Sequence, residues 1–336
     1  MDHRTAVDEA LCKLYNARPH SSEDIIRLFD LAIVVGNSEL VCDIMNENKS
    51  IYFDTRKLIT ANVINLERRT DRLAKFIGRA IRCNLLVNLA CMEIKGNSHD
   101  IIIADLLKGK NEETLYKFTH AMDAYTSVSD IFVKKEWDPS KLAIYDKLAP
   151  RESVLVNTTA SERACALSHI SAWMQCLMSL SQQLPGVNCI QITNTPACLI
   201  LEDDAIPTQN FFSKLFSILQ SLPSDYHICQ IGYSRPARAP FQNIGDEGLV
   251  SIPTFTFFMT GYLITNAGAK FLLQNLPVVG PIDTWINTLR GNNGLKGFAS
   301  SKILLKQQYS DSKIGWRATD SDVFYSGHPA RPKSDS

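Results

Sequence analysis

The chain carries no excess charge of either sign: its 336 residues hold 35 Lys and Arg against 35 Asp and Glu. Without a net field, nothing draws the molecule as a whole toward nucleic acid or an anionic membrane, so any charged ligand must be met locally. No C-x-x-C pair occurs among the nine cysteines (12, 42, 83, 91, 165, 176, 189, 198 and 229). An odd number of cysteines, mostly inside apolar stretches, fits buried thiols in a reducing compartment better than a disulfide framework. A signal-peptide core is missing as well, because Met1 to Ala10 contains Asp2, His3, Arg4, Asp8 and Glu9. No apolar run reaches the ~20 residues of a membrane span. These absences predict a cytoplasmic protein with no transmembrane segment, and they leave room for peripheral membrane contact. Asn48 and Asn157, each in an Asn-x-Ser/Thr triplet, are then not expected to carry glycans. Internal repeats and low-complexity tracts are absent, apart from a polar tail after about Gly327.

What is present is a chain that is 45% hydrophobic and 21% charged, enough to bury the core of one large domain with a smaller appendage. Up to about residue 50 the apolar residues recur at helical spacing: Leu11, Leu14 and Tyr15, then Ile25, Ile26, Leu28, Phe29, Leu31 and Ala32, with Ser21-Ser22 offering a helix start. The rhythm changes at Asn62. Val63-Ile64-Asn65-Leu66 reads as a strand, Glu67 to Arg72 as a charged loop, and Leu73 to Ile77 as a helix. Residues 84–151 show no clear pattern and are read as helix and loop. A helix is expected from Ser161, taken as its cap, through Leu180, with Ala164, Leu167, Ile170, Trp173, Met174 and Leu177 on one stripe. Ala197 to Leu201 is a buried strand. Helix 210–221, strands 226–232 and 255–265, helices 267–276 and 282–290, and strand 299–305 follow. Strands alternating with helices predict an α/β fold with a mostly parallel central sheet. The expected division is an N-terminal helical extension (1–55), one catalytic domain (56–326) and the tail (327–336).

The buried strand delivers Glu202, Asp203 and Asp204 at its carboxyl end, where ligands sit in open α/β sheets. Three adjacent carboxylates repel one another unless a cation neutralises them, and hard oxygen ligands suit Mn²⁺ or Mg²⁺ completed by substrate phosphate. A solvated acidic turn is the plainer alternative. Asn65, Arg68, Arg69, Asp71 and Arg72 crowd the loop after the first strand, where arginines can grip a diphosphate and Asn65 or Asp71 a ribose or base. The same residues also read as a charged helix start capped by Thr70-Asp71. His169 lies on an apolar helix, where a histidine is more often a core residue than a ligand. Asp283 begins a helix, so it is either a cap or a general base.

Five segments in order now resemble glycosyltransferase family 25, the group of bacterial lipopolysaccharide glycosyltransferases and collagen galactosyltransferases. They are Val63-Ile64-Asn65-Leu66 with Arg68-Arg69 and Asp71-Arg72, then Ala166-Leu167-Ser168-His169, Leu201-Glu202-Asp203-Asp204, Gly261-Tyr262-Leu263-Ile264 with Gly268-Ala269, and Pro281-Ile282-Asp283. The likeness spans about residues 62–312. It implies a GT-A type nucleotide-sugar fold and a metal-dependent, inverting hexosyl transfer. The donor would be a UDP-sugar, with galactose or glucose as the hexose, and the acceptor a hydroxyl of a glycan or glycosylated molecule. Glu202 and Asp204 would hold Mn²⁺ or Mg²⁺, with Asp311 or His328 as the late ligand. Asn65, Arg68, Arg69, Asp71, Arg72, Ser168 and His169 would bind the donor, and Asp283 and Asp203 would be the catalytic carboxylates. Ala164 stands where the family usually has glycine, and residues 1–50 have no counterpart in its core. A catalytically silent protein of the same fold is the alternative. A metal-dependent phosphohydrolase ranks lower, because a two-metal site needs further acidic or histidine ligands near another strand end.

Overall fold

A computed structural model describes residues 3–17, 21–35, 37–47, 59–64, 70–82, 85–89, 130–141, 155–181, 195–234, 241–244, 248–292 and 294–308. Three helices open the chain, α1 (His3–Asn16), α2 (Ser22–Val35) and α3 (Ser38–Glu47). The start of α2 is closed reciprocally: Ser21 Oγ accepts from Asp24 N at 3.2 Å and Asp24 Oδ2 accepts from Ser21 N at 3.3 Å. That exchange satisfies amides which the first helical turn leaves unpaired. Asn37 Oδ1 does the same for α3, accepting from Leu40 N at 2.9 Å.

The sheet begins with β1 (Ile59–Ile64), followed by α4 (Thr70–Arg82) and β2 (Leu85–Leu89). A short ribbon of β3 (Glu136–Trp137) and β4 (Val156–Asn157) precedes the long helix α5 (Ala160–Ser181). Then come β5 (Ala197–Glu202), β6 (Ala205–Pro207), α6 (Phe211–Ser221), β7 (Ile228–Ser234), β8 (Phe241–Ile244), β9 (Val250–Pro253) and β10 (Phe257–Thr265). The described chain closes with α7 (Asn266–Gln274), α8 (Ile282–Asn292), β11 (Gly297–Ser300) and β12 (Leu305–Gln307).

Eight of these strands form one sheet in the order β2-β1-β5-β10-β7-β11-β9-β8, and β12 pairs with β6 in a separate ribbon. The expectation of a mostly parallel sheet is corrected: β1–β2, β1–β5 and β7–β11 run parallel, whereas β5–β10, β7–β10, β9–β11 and β8–β9 are antiparallel. The reason lies in the connections. A parallel neighbour needs a long crossover, but β10 is reached from β7 by way of the β8–β9 pair, so it is free to enter between β5 and β7 head to tail. The expected strand 299–305 is also two strands, β11 and β12. The chain bends between them, and Leu304 N donates to Ile231 O at 2.8 Å.

Period-two alternation sorts the side chains into two cores. Ala197, Leu199 and Leu201 of β5 join Leu28, Phe29, Val41, Ile44, Phe76 and Ile77 on one face, while Cys198 and Ile200 join Ile170, Trp173, Leu272 and Ile286 on the other. The N-terminal helices therefore share a core with the sheet through α4. On the other face α5 is no one-sided helix, since every residue from Ser168 to Met174 is buried. Its start is Thr159 and not Ser161: Thr159 Oγ1 accepts from Glu162 N at 3.2 Å, and Glu162 Oε2 accepts from Thr159 N at 2.7 Å. The box fits because the glutamate stands three positions after the cap, a spacing Ser161 cannot offer.

Helix α7 packs so closely that a Cβ at Gly268 would lie 2.1 Å from the backbone oxygen of His227. Backbone cannot rotate away as a side chain can, so Gly268→Ala is expected to cost about 1–3 kcal/mol in urea unfolding, the usual penalty of overpacking. No loss of stability would mean that α7 can slide off β7.

Candidate active site

Register brings β1 and β5 to the same end, Ile64 opposite Glu202, and Asp203 N donates to Ile64 O at 3.0 Å. The segment after β1 therefore starts beside the acidic turn after β5. Asn65, Arg68 and Arg69 lie outside the described residues, as do Asp311 and His328. Asp71 is placed on α4.

Arg72, one position further along α4, is buried and reaches the acids directly: its guanidinium forms an ion pair with Asp203 Oδ1 and lies 3.2 Å from Asp204 Oδ2. The turn thus carries an internal cation. Gln307 of β12 donates to Asp204 Oδ2 at 3.0 Å, and Arg79 donates to the Asp203 carbonyl at 3.2 Å and to Gln308 Oε1 at 3.1 Å. Sequence reasoning missed Arg79, Gln307 and Gln308, because no spacing links residues so far apart.

Arg72, with the Arg79 guanidinium also acting on Asp203 and Asp204, does not offset the burial of these carboxylates. Burial above all, then the neighbouring Glu202 charge, pushes the Asp204 carboxyl from 3.8 up to about 7, with Arg72 pulling the other way. Among the described residues, the buried Asp204 Oδ1 has no hydrogen-bond donor. An acid held protonated only in the folded state makes the folded form bind a proton the unfolded chain releases. Stability therefore falls as pH rises from 3.8 to about 7 and levels off above. In EDTA, unfolding titrations should show this decline in the native protein and less of it in an Asp204→Asn variant. Identical pH profiles would show that Arg72 keeps Asp204 ionised throughout.

Glu202 is the acid that reaches outward, its side chain 20% exposed. It lines a small cleft with Glu162, Cys165, Met259, Pro281, Ile282 and Asp283. Ser168 and His169 lie behind it on α5. Ser168 Oγ donates to Ala164 O at 2.9 Å, and the fully buried His169 places Nε2 3.5 Å from Glu202 Oε1. Tyr262 of β10, which sequence reading noted only within a motif, stands against the histidine, Oη 2.9 Å from Nδ1.

Asp283 is buried at the start of α8, but it does more than open the helix. Oδ2 accepts from Phe258 N at 2.9 Å, and Oδ1 accepts from Thr284 N at 2.7 Å. Phe258 has φ 66°, a left-handed conformation that is a real outlier for a bulky residue. Its carbonyl accepts from Gln230 Nε2 at 3.3 Å, so Asp283 and Gln230 pin the strained residue from both sides. Gln230 Oε1 in turn accepts from Thr256 Oγ1 at 2.6 Å and Arg290 at 2.8 Å. Desolvation raises the Asp283 carboxyl and moderates Arg290 to about 10.

A mixed sheet with buried acids at one strand end, a guanidinium among them and the Asp283 carboxylate across a small cleft is an arrangement of the kind α/β enzymes use at their sites. Residues 59–286 match the family described as Glycosyltransferase family 25 (LPS biosynthesis protein), so the chain belongs to that family. It is thus a glycosyltransferase, which binds a sugar donor and an acceptor. No curated protein matches the chain. Among the described residues no helix is long and apolar enough to cross a membrane.

Proposed function

We propose that the chain is a metal-dependent, inverting hexosyltransferase of GT-A type that moves galactose or glucose from a UDP-sugar to a hydroxyl of a glycan or glycosylated acceptor. One observation carries this reading within the family: burial first, and then the neighbouring Glu202 charge, push the Asp204 carboxyl up to about 7 although Arg72 lies against it. Mn²⁺ or Mg²⁺ suits such hard oxygen donors, and the undonated Oδ1 of Asp204 offers a lone pair. Glu202 and Asp204 would hold it, with Asp311 as the further ligand. When bound, the ion supplies charge to the departing diphosphate.

Asp283 is the general base in this scheme. Its carboxyl is raised by burial and lines the cleft with Glu202, while two backbone amides fix its direction and leave further lone pairs for the acceptor's proton. Asp203, paired with Arg72, acts as a fixed anion that orients the turn. In this reading Asn65, Arg68, Arg69 and Asp71 bind the donor's nucleotide and phosphates, and Ser168 and His169 border its sugar end. Residues 1–55 are in the same reading an extension, 56–326 the transferase domain and 327–336 a tail; the family match, over 59–286, lies inside that middle part. Among the described residues Cys12, Cys165, Cys176, Cys198 and Cys229 form no disulfide, which favours a cytoplasmic setting.

The test is UDP release from UDP-galactose and UDP-glucose with Mn²⁺, with EDTA and with Asp204→Asn. The expected result is slow hydrolysis of one donor, abolished by EDTA and by the substitution. Release that is unaffected by either would overturn the metal assignment. Arg72 already bridges two of the acids, and this favours one second reading, a sugar-nucleotide-binding protein without turnover, which donor binding with no release would establish.

A further inference from the structure

We infer that His169 is a positioning residue for Glu202: a buried chain from Trp173 through Tyr262 fixes the imidazole with its proton on Nε2, and that proton holds the Glu202 carboxylate in the cleft. The hydrogen bonds admit one consistent assignment. Trp173 Nε1 can only donate, and it does so to Tyr262 Oη at 2.8 Å. Tyr262 Oη also lies 2.9 Å from His169 Nδ1. All three side chains are fully buried, so bulk water satisfies none of these groups.

Were Nδ1 protonated, the phenol oxygen would accept twice and its own proton would be left without an acceptor, a loss of about 1–3 kcal/mol. With Tyr262 donating, Nδ1 accepts and the neutral ring carries its proton on Nε2. Among the described residues Nε2 has no hydrogen-bond partner, and Glu202 Oε1 stands 3.5 Å from it, so a small movement of the carboxylate toward the ring completes the bond. Glu202 is the member of the acidic turn that reaches the cleft, whereas Asp203 and Asp204 are 4% and 2% exposed. His169 therefore acts on the cleft through Glu202.

A competing use of the same atoms is a metal site, since ligand atoms of Cys165, His169 and Glu202 lie within 4.8 Å of one another, a set that suits Zn²⁺. It would need a bare Nε2, which reverses the chain and strands the Tyr262 proton. It would also need a thiolate at Cys165, whose thiol burial holds well above its ordinary value.

The first experiment is long-range ¹H–¹⁵N correlation of the full-length protein labelled at histidine, with His169→Gln assigning the resonance. The Nε2–H form is expected, with loss of the fixed tautomer in Tyr262→Phe; the Nδ1–H form would overturn the proposal. Co²⁺ gives a second arm. A thiolate-to-cobalt absorption band that disappears in Cys165→Ser would overturn the proposal in favour of a metal at Nε2.

The third arm rests on the metal role proposed above for Glu202. Gln puts an amide N–H near the place of Nε2, whereas Asn puts it near Nδ1. Folded His169→Asn should therefore bind Mn²⁺ about 10–100-fold more weakly, and His169→Gln about as well as the native protein. Equal losses in both would make His169 a packing residue and overturn the proposal. A native protein that binds no Mn²⁺ would refute the metal role of the acids and leave the tautomer measurement to decide this one.

Discussion

Replacing Arg72 by methionine is expected to cost about 3–5 kcal/mol of stability at neutral pH, the loss typical of breaking a buried ion pair from one side. Methionine fills much of the same volume, but it leaves Asp203 and Asp204 buried beside Glu202 with no cation between them. Urea unfolding of Arg72→Met, Asp203→Asn and the double variant would measure the coupling. The double variant should recover part of the loss, because it removes the charge that was stranded. A cost under about 1 kcal/mol would mean that the pair behaves like an exposed one and that the turn is open to water.

Asp283→Asn should act on two readouts at once. An asparagine has one acceptor oxygen where aspartate has two, so its amide nitrogen must face the N–H of either Phe258 or Thr284. Leaving one such amide unpaired costs about 1–3 kcal/mol. The amide also cannot take a proton, so transfer to an acceptor should fall by about 10²–10⁴-fold. Comparison with Thr284→Ala separates the effects, since that change disturbs the same helix start but keeps the carboxylate. Native-like transfer by Asp283→Asn, with the stability loss present, would reduce Asp283 to a brace for Phe258.

Much of this layout is legible in the order of residues, and the parts that are not share a cause. Ala197 to Glu202 shows itself because five apolar residues followed by acids have few other uses. Helix α5 shows itself by its length, although its cap lies two positions before the expected Ser161, in the Thr159/Glu162 exchange. The direction of β10 is hidden, because a strand buried on both faces has the same composition whichever way it runs. Arg72 was visible as one of several arginines, but its partners were not: ion pairs depend on where α4 comes to rest against the turn between β5 and β6. The pinning of Phe258 by Asp283 and Gln230 is equally silent, since nothing in Pro281-Ile282-Asp283 points to an amide 25 residues earlier.

The β6–β12 ribbon bears on the order in which the molecule can be built. Asp204 is held by Gln307 and Gln308, and Arg79 meets Gln308 across 229 residues of sequence. These partners lie beyond residue 286, where the family match ends. On a ribosome, all eight strands of the sheet, β11 the last of them, are made before β12 emerges, so the acidic turn must wait with one flank open. Closing contacts of such long range brings no compensation until late, which predicts slow final assembly and a nascent form whose acids are still exposed to solvent.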